Sequence, residues 1–376
     1  MELILDNARI VLADLILEGW VAVSRGMIAE IGTGRAPAGA VDLGGDFLIP
    51  GLVELHTDNL ESHVKPRPTV RWSLTPAVLA YDAQVAAAGI TTVFDSLRVG
   101  SEGEDTLGAE TLELADAIAA ARAAEMLRAE HFTHLRCEVC TDDVIEGAEA
   151  FVARHPVHLI SLMDHTPGQR QFRDIEKLLV YYRGKGRSEE QLQAFFADKQ
   201  RRRLAYGARH RDALVSLARA NDIALASHDD ATVEEVAQAK ADGTAVAEFP
   251  VTLEAAAAAR NAGIAVLMGA PNLVRGGSHS GNIAAVELAQ AGLLDILSSD
   301  YVPGSMIQAA FELPERVPAI ALPAAIATVT SAPAHAAGLR DRGLIEGGRR
   351  ADLVRVRLAQ GQPVVRTVWR SGERVV

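Results

Sequence analysis

Histidine and carboxylate residues recur at the ends of apolar, strand-like segments of this sequence. His56 and Asp58 close the first such segment, and His228 follows the fifth. Alternate residues of a strand point the same way, so we expect His56 and Asp58 to reach one metal ion together. Imidazole and carboxylate ligands suit zinc, manganese or iron, and such an ion lowers the pKa of bound water toward neutrality. The sequence therefore predicts a metal-dependent hydrolytic site.

The predicted site has five candidate ligands and one candidate base. The ligands are His56, Asp58, Glu138, His165 and His228. Asp300 follows the eighth segment and is the predicted general base, because a carboxylate there can take a proton from water. Each residue alone has an ordinary structural explanation, such as a helix cap for Asp300. Their coincidence at the ends of several strands favours a metal site, with one or two ions.

Cationic and small polar residues follow the same segments and predict an anionic substrate. Arginine matches phosphate oxygens in a fork, and the backbone N–H groups of residues 276–281 can hold a phosphate. Solvated side chains and an ordinary loop are the plainer alternatives. The predicted substrate contacts are Lys65, Arg67, Arg170, Arg173, Arg275, Ser278 and His279.

Eight apolar segments alternate with helical patterns along the middle of the chain. They span residues 52–56, 91–95, 135–139, 159–163, 223–227, 245–249, 264–268 and 296–299. Strands covered by helices on both faces have this continuous apolar character. The pattern predicts a (β/α)₈ TIM barrel of the α/β class, whose strand ends meet at one mouth. A doubly wound open sheet is the alternative, but no Gly-x-Gly-x-x-Gly motif follows the first strand.

Both ends of the chain are rich in short β-like runs. We predict one small β-sandwich-like domain from residues 1–50 and 345–376, beside a hydrolase barrel of residues 51–344. The charged segment 185–219 exceeds what a minimal barrel needs. A solvated helix face is the ordinary interpretation, and a lid or an oligomer contact is the alternative.

Composition limits the partners and the compartment. The net charge of −12 argues against a general nucleic-acid binder, although a metal and a few arginines can still attract an anion. Two cysteines, Cys137 and Cys140, cannot form a disulfide framework, and reduced buried thiols are favoured over a redox or structural zinc site. Neither a signal peptide nor a membrane-spanning run is evident. We expect a cytoplasmic protein without a membrane partner, and leave a homo-oligomer open.

Residues 49–58 resemble the first-strand motif of the amidohydrolase superfamily, and residues 343–354 resemble its return to the small β domain. The usual motif is Pro-Gly-hydrophobic-Asp-x-His-x-His. This chain has Glu54 in place of the usual Asp and Asp58 in place of the second His. No lysine occurs on the fourth strand, and the sixth offers Glu248 where many relatives have a histidine. These departures leave the number of metal ions open.

Further segments are similar to the diphosphatases of the carbon–phosphorus lyase pathway. They comprise residues 54–61 with 65–68, 161–172, 226–230 and 269–282. That family hydrolyses α-D-ribose 1-methylphosphonate 5-triphosphate to the 5-phosphate and pyrophosphate, so the resemblance implies this reaction, with attack at the α-phosphorus. The alternatives are a deacetylase, deaminase or cyclic amidase acting on a small C–N substrate, and a non-catalytic relative that serves as a scaffold.

Overall fold

The structure is a computed structural model that describes residues 3–100, 107–170, 188–278 and 281–376. Its first strands are β1 Leu3–Val11, β2 Ile16–Ser24, β3 Met27–Gly32, β4 Val41–Asp42 and β5 Phe47–Pro50. The next eight are β6 Leu52–Thr57, β7 Ile90–Val99, β8 Glu130–Glu138, β9 Leu159–Met163, β10 Ala224–His228, β11 Val246–Glu248, β12 Ala265–Gly269 and β13 Ile296–Ser298. The last are β14 Leu353–Ala359, β15 Gln362–Arg370 and β16 Glu373–Arg374.

Helices connect and cover these strands. The first are α1 Asn59–Val64, α2 Leu74–Ala87, α3 Leu107–Ala123, α4 Val144–Arg154 and α5 Glu189–Arg202, which runs through a π-helical turn, Arg203–Gly207, into α6 Ala208–Ala220. The remaining described helices are α7 Val233–Asp242, α8 Leu253–Asn261, α9 Ala270–Arg275, α10 Ala285–Gln290, α11 Ser305–Arg316, α12 Leu322–Ala327 and α13 Ser331–Ala336. None of the described helices has the length and apolar character needed to cross a membrane.

Strands β6 to β13 form one parallel sheet in sequence order. Its first and last strands meet at a seam, where Asp58 N donates to Asp300 O at 2.6 Å and Asp300 N donates to His56 O at 3.1 Å. The Glu54 carboxylate spans the same seam and accepts from the backbone N–H groups of His56 and Ser299, at 2.6 and 2.5 Å. The predicted (β/α)₈ barrel is therefore confirmed, and each of the eight predicted segments overlaps an observed strand.

The barrel buries its strands on both faces. Val53, Leu55 and Phe94 pack inside it, whereas Leu52 and Val93 pack against the helices. Because strand side chains alternate, each strand contributes to both layers, and this explains the continuous apolar segments. Toward the carboxyl ends, the inward positions change from apolar to polar. Along β8 they are Phe132, His134, Arg136 and Glu138. The interior of the barrel is therefore apolar at the amino ends of the strands and polar at the mouth.

Strands from both termini share the second sheet. Its order is β16-β15-β14-β5-β1-β2-β3, with β4 paired to β1. Strand β5 joins the two ends of the chain, because it runs parallel to β1 and antiparallel to β14. The limits of the predicted small domain and its sandwich-like character stay predictions.

The described part of the charged segment packs beside the barrel mouth. Arg203 Nε donates to Asp164 Oδ2 at 2.8 Å, and Gln200 Nε2 donates to Pro167 O at 2.9 Å, so the segment contacts the loop after β9. Leu204, in the π-helical turn, is 83% exposed. A lid or oligomer contact stays a prediction for this segment.

The two cysteines are buried and unpaired. Burial raises the pKa of Cys137 to about 12, and it raises the pKa of Cys140 further with help from the Asp164 charge. The thiols are thus protonated at neutral pH, which does not favour redox reactivity.

A buried imidazole outside the mouth lies between two carboxylates. His131 Nδ1 is 2.9 Å from Asp95 Oδ2, and its Nε2 is 3.2 Å from Asp82 Oδ1. Burial alone would lower the pKa of His131, but Asp95 and Asp82 outweigh it and raise the pKa to about 9. His131 is therefore charged in the folded protein at neutral pH.

This charge predicts a stability that falls in alkaline solution. A histidine with a raised pKa stabilises the fold fully below its unfolded value, roughly 6.5, and loses that contribution as pH rises through the folded value. We expect the stability difference between wild type and His131→Gln to shrink by on the order of 2–3 kcal/mol between pH 6.5 and 9. Urea denaturation across this range measures it. A difference independent of pH would contradict a charged His131.

Candidate metal centre

Four groups of potential metal ligands occur among the described residues, each with its ligand atoms within 4.8 Å of one another. The first subsite comprises His56, Asp58 and Asp300, and the second subsite comprises His165, His228 and Asp229. The other two groups are His56, His134 and Glu248, and Glu138, Cys140 and Asp164. The structure thus divides four of the five predicted ligands between two neighbouring subsites.

The first subsite is built on the seam of the barrel. His56 and Asp58 end β6, and the backbone hydrogen bonds across the seam bring Asp300 beside them. Asp300 has φ 56°, a left-handed conformation uncommon outside glycine. Burial alone would raise the pKa of Asp58, but Arg136, His56 and Arg98 hold it well below its usual value. Asp58 is therefore an anion under all ordinary conditions.

The second subsite contains a buried carboxylate oxygen without a hydrogen-bond partner. Asp229 Oδ2 lies 3.5 Å from His228 Nε2 and 4.0 Å from His165 Nε2. Burial raises the pKa of Asp229 to about 6. Burying an unsatisfied acceptor is costly, and a cation held between these three side chains would satisfy it. The residues present therefore fit a divalent metal ion.

Carboxylates contact Nδ1, the rear nitrogen, of each of the three histidines His56, His165 and His228. Glu138 Oε2 is 2.7 Å from His165 Nδ1, Glu248 Oε1 is 2.9 Å from His56 Nδ1, and Glu248 Oε2 is 3.1 Å from His228 Nδ1. An Nδ1–H bonded to a carboxylate leaves Nε2 as the free ligand atom, an arrangement common behind metal-binding histidines. Burial lowers the pKa of His228 to about 3, so its ring is neutral and available to a metal.

Glu138 belongs to neither subsite. Both of its oxygens contact His165, because Oε1 accepts from the His165 backbone N at 3.2 Å. The structure places Glu138 behind a histidine of the second subsite. Direct coordination by Glu138 stays a prediction.

The predicted substrate contacts have different surroundings. Lys65 and Arg67 lie between α1 and α2, and Arg275 ends α9, with Ser278 just beyond it. Arg67 and Arg275 are exposed, whereas Lys65 and Ser278 are half-buried. Arg173 and His279 lie outside the described residues. These loops follow the carboxyl ends of β6 and β12, on the side of the mouth.

Arg170, a predicted substrate contact, is buried. It was expected to face an anionic substrate, but it is 8% exposed, and its Nη1 donates to His228 O at 2.6 Å and to Asp230 Oδ1 at 2.7 Å. The buried guanidinium holds the turn that carries His228 and Asp229 through these two hydrogen bonds. Asp230 also neutralises its charge there. A substrate contact through its other N–H groups stays a prediction.

Arg136 was missed as a site residue. It is 5% exposed, its Nη1 donates to Asp58 Oδ1, and its Nε is buried without a hydrogen-bond partner. Arg98, on β7, lies 3.9 Å from Asp58 Oδ2. The alternation of His134, Arg136 and Glu138 along β8 was the available signal, since all three occupy inward positions. These two arginines are cations beside the first subsite.

A cavity of about 730 Å³ opens at the opposite end of the barrel, and none of the predicted site residues that the structure describes lines it. Several arginines line it, but Arg260 pairs with Asp295 and Arg349 pairs with Glu346. The polar mouth, not this cavity, carries the candidate chemistry.

Comparisons with known proteins show the family of the chain. Residues 193–376 match the model of the amidohydrolase family. The chain is 45% identical to the alpha-D-ribose 1-methylphosphonate 5-triphosphate diphosphatase of Escherichia coli (strain K12), over 99% of this chain and 100% of that protein. It also has the fold of a 5-methylcytosine deaminase from Klebsiella pneumoniae, with TM-score 0.68 and 15% identity over 100% of this chain and 97% of the other. An N-acetyl-D-glucosamine-6-phosphate deacetylase from Mycobacterium smegmatis gives TM-score 0.66 and 16% identity over 100% of both chains.

The deaminase and the deacetylase, at 15% and 16% sequence identity, show the barrel fold alone. The sequence identity with the Escherichia coli protein is 45% over the full length. The chain therefore belongs to the amidohydrolase family, in the branch of the alpha-D-ribose 1-methylphosphonate 5-triphosphate diphosphatase.

Proposed function

We propose that this protein is a metal-dependent diphosphatase that hydrolyses α-D-ribose 1-methylphosphonate 5-triphosphate to the 5-phosphate and pyrophosphate. The observation that carries the proposal is the 45% identity over the whole length of a diphosphatase acting on that compound. The composition of the mouth supports it, because two subsites of imidazole and carboxylate ligands lie beside buried arginines.

The proposed metal ligands are His56 and Asp58 in the first subsite and His165, His228 and Asp229 in the second. Zinc is the proposed ion, since imidazole-rich sites with carboxylates suit it, and manganese or iron are the alternatives. When bound, the metal lowers the pKa of water and polarises phosphoryl oxygens.

Asp300 is the proposed general base. It lies in the first subsite with His56 and Asp58, held there by backbone hydrogen bonds across the seam. A carboxylate within reach of the attacking water can take its proton as the bond to phosphorus forms. Asp229 is the rival base because burial raises its pKa to about 6, closer to neutral pH.

Cations at the mouth are the proposed partners of the triphosphate. Arg136 and Arg98 pair with Asp58, and Arg98 also pairs with Glu61. Their remaining N–H groups are proposed to stabilise the negative charge that develops on a phosphoryl group at the first subsite. Lys65, Arg67 and Arg275, in the surrounding loops, are proposed to contact the leaving pyrophosphate. A bidentate arginine–phosphate contact is stronger than a neutral hydrogen bond, so these residues favour a polyphosphate over a neutral amide.

The test is a single turnover of the triphosphate in oxygen-18 water, with mass analysis of both products. Attack at the α-phosphorus leaves the label on the sugar 5-phosphate and releases unlabelled pyrophosphate. Chelator-treated protein is the control and should release neither product. Label in the pyrophosphate, or orthophosphate as the first product, would contradict attack at the α-phosphorus. Efficient hydrolysis of amides without turnover of the triphosphate would replace the proposal with a C–N hydrolase.

A further inference from the structure

One buried carboxylate lies behind both subsites. Glu248, at the end of β11, is 1% exposed. Its Oε1 contacts Nδ1 of His56, in the first subsite, and its Oε2 contacts Nδ1 of His228, in the second, at 2.9 and 3.1 Å. Each oxygen thus serves one subsite, although the two histidines come from strands β6 and β10.

Two further strands fix the position of this carboxylate. Ser161 Oγ, on β9, donates to Glu248 Oε2 at 2.6 Å. His134, on β8, is 2.5 Å from the same Ser161 Oγ through Nε2, and its Nδ1 is 2.9 Å from Leu55 O. Glu248 is thus held from four other strands, directly or through Ser161, and has little freedom to move. Displacing it therefore displaces both of its histidine partners.

The next residue restrains the same two rings. Phe249 packs edge-on against His56 and His228, with ring centroids 4.9 and 5.4 Å apart. Its φ of 54° is left-handed, a costly conformation for a bulky residue that only the surrounding structure can enforce. Glu248 therefore fixes the rear nitrogen of each imidazole, and Phe249 fixes the plane of each ring.

A metal ligand role for Glu248 itself is less consistent with these contacts. His56, His134 and Glu248 are close enough to hold an ion. However, an ion between Glu248 and His56 would replace the Nδ1 hydrogen bond. The other oxygen, Oε2, already accepts from Ser161 and contacts His228 Nδ1.

We propose that Glu248 is a positioning residue that couples the two metal subsites, since it holds the Nε2 atoms of His56 and His228 in ligand orientation at once. The proposal rests on the metal-dependent function proposed above. It predicts that one substitution at Glu248 weakens metal binding at both subsites together, although Glu248 binds neither ion.

The experiment compares metal binding by metal-free wild type and Glu248→Gln, by zinc titration against a chromophoric chelator. In Glu248→Gln one oxygen becomes an NH₂ donor that opposes an Nδ1–H group, and because both histidines contact the same side chain, the displaced amide also disturbs the contact with the other histidine. We expect zinc affinity to fall by about 10–100-fold for both ions, the usual effect of losing a partner behind a ligand. Glu248→Asp, which keeps both acceptors, should recover part of this loss.

Asp82→Asn is the matched control, because Asp82 is also a buried carboxylate bonded to a histidine, His131. It should lower stability and leave zinc affinity unchanged. Ser161→Ala is a milder second variant in case Glu248→Gln does not fold, since it removes one donor to Glu248 and should weaken zinc binding several-fold.

Three results would each overturn the coupling. Folded Glu248→Gln could bind zinc with wild-type affinity, it could lose only one of the two ions, or the wild type could bind only one ion per chain. An equal loss in Asp82→Asn would assign the effect to general destabilisation. Because no substrate is present, the result is separate from the proposed reaction. A wild type that binds two zinc ions but does not cleave the triphosphate would disprove the diphosphatase proposal alone.

Discussion

Replacing His228 with alanine should remove metal from the second subsite and abolish nearly all turnover. His228 is 5% exposed at the end of β10, its rear nitrogen is held by Glu248, and its Nε2 is 3.5 Å from Asp229 Oδ2. No side chain can replace a ligand that a rigid strand delivers to this point, and the loss leaves Asp229 unsatisfied. Metal content per chain and kcat measure the effect.

His158→Ala is the control for this variant. His158 precedes β9 at the opposite end of the barrel, where its Nδ1 accepts from Thr133 N at 3.1 Å and its ring packs edge-on against Phe132. Its loss should affect stability and leave metal content unchanged. Full metal content in His228→Ala would show that the second subsite is not a metal site.

Asp300→Asn should keep the metal and the fold but lower kcat by at least about a hundredfold, the scale of general-base catalysis. The amide has nearly the same shape and cannot take a proton. The seam should survive, because Asp300 contributes to it through backbone N and O atoms. Steady-state kinetics test this, with the metal content per chain measured on the same samples.

Asp229→Asn separates the two candidate bases. We expect it to lose metal from the second subsite, because Asp229 is proposed there as a ligand. Two results together would assign the role of base to Asp229. Asp300→Asn would have a near-normal kcat at neutral pH, and the kcat/KM of metal-loaded Asp229→Asn would no longer fall as the pH drops below about 6.

The strands and the two main histidines were predictable because their signals are local. A strand buried on both faces needs a continuous apolar run, and the residue that ends it in a barrel faces the mouth. His56 and His228 satisfy both conditions. The number of subsites was not predictable, because the grouping of ligand atoms depends on distances between strands.

Contacts between residues that are distant in the sequence were not predictable. Glu248 stood out as an acid on the sixth strand, but nothing near it in the sequence indicates that it lies between His56 and His228. Arg170 is of a residue type that commonly binds phosphate, and the residues next to it in the sequence do not indicate that Asp230 neutralises it. Arg136 was overlooked because a buried arginine is rare without a partner, and its partner Asp58 lies on another strand.

The order of the strands has a consequence for biosynthesis. In the barrel, β6 adjoins β13, and in the terminal sheet β5 pairs with β14. The later strand of each pair is synthesised some 240 to 300 residues after the earlier one. A growing chain on the ribosome exposes both unpaired edges, and unpaired edges invite association with other chains. Pairing between such distant segments is also slow. The edges of β5 and β6 should therefore be the places where the growing chain associates most readily with other chains.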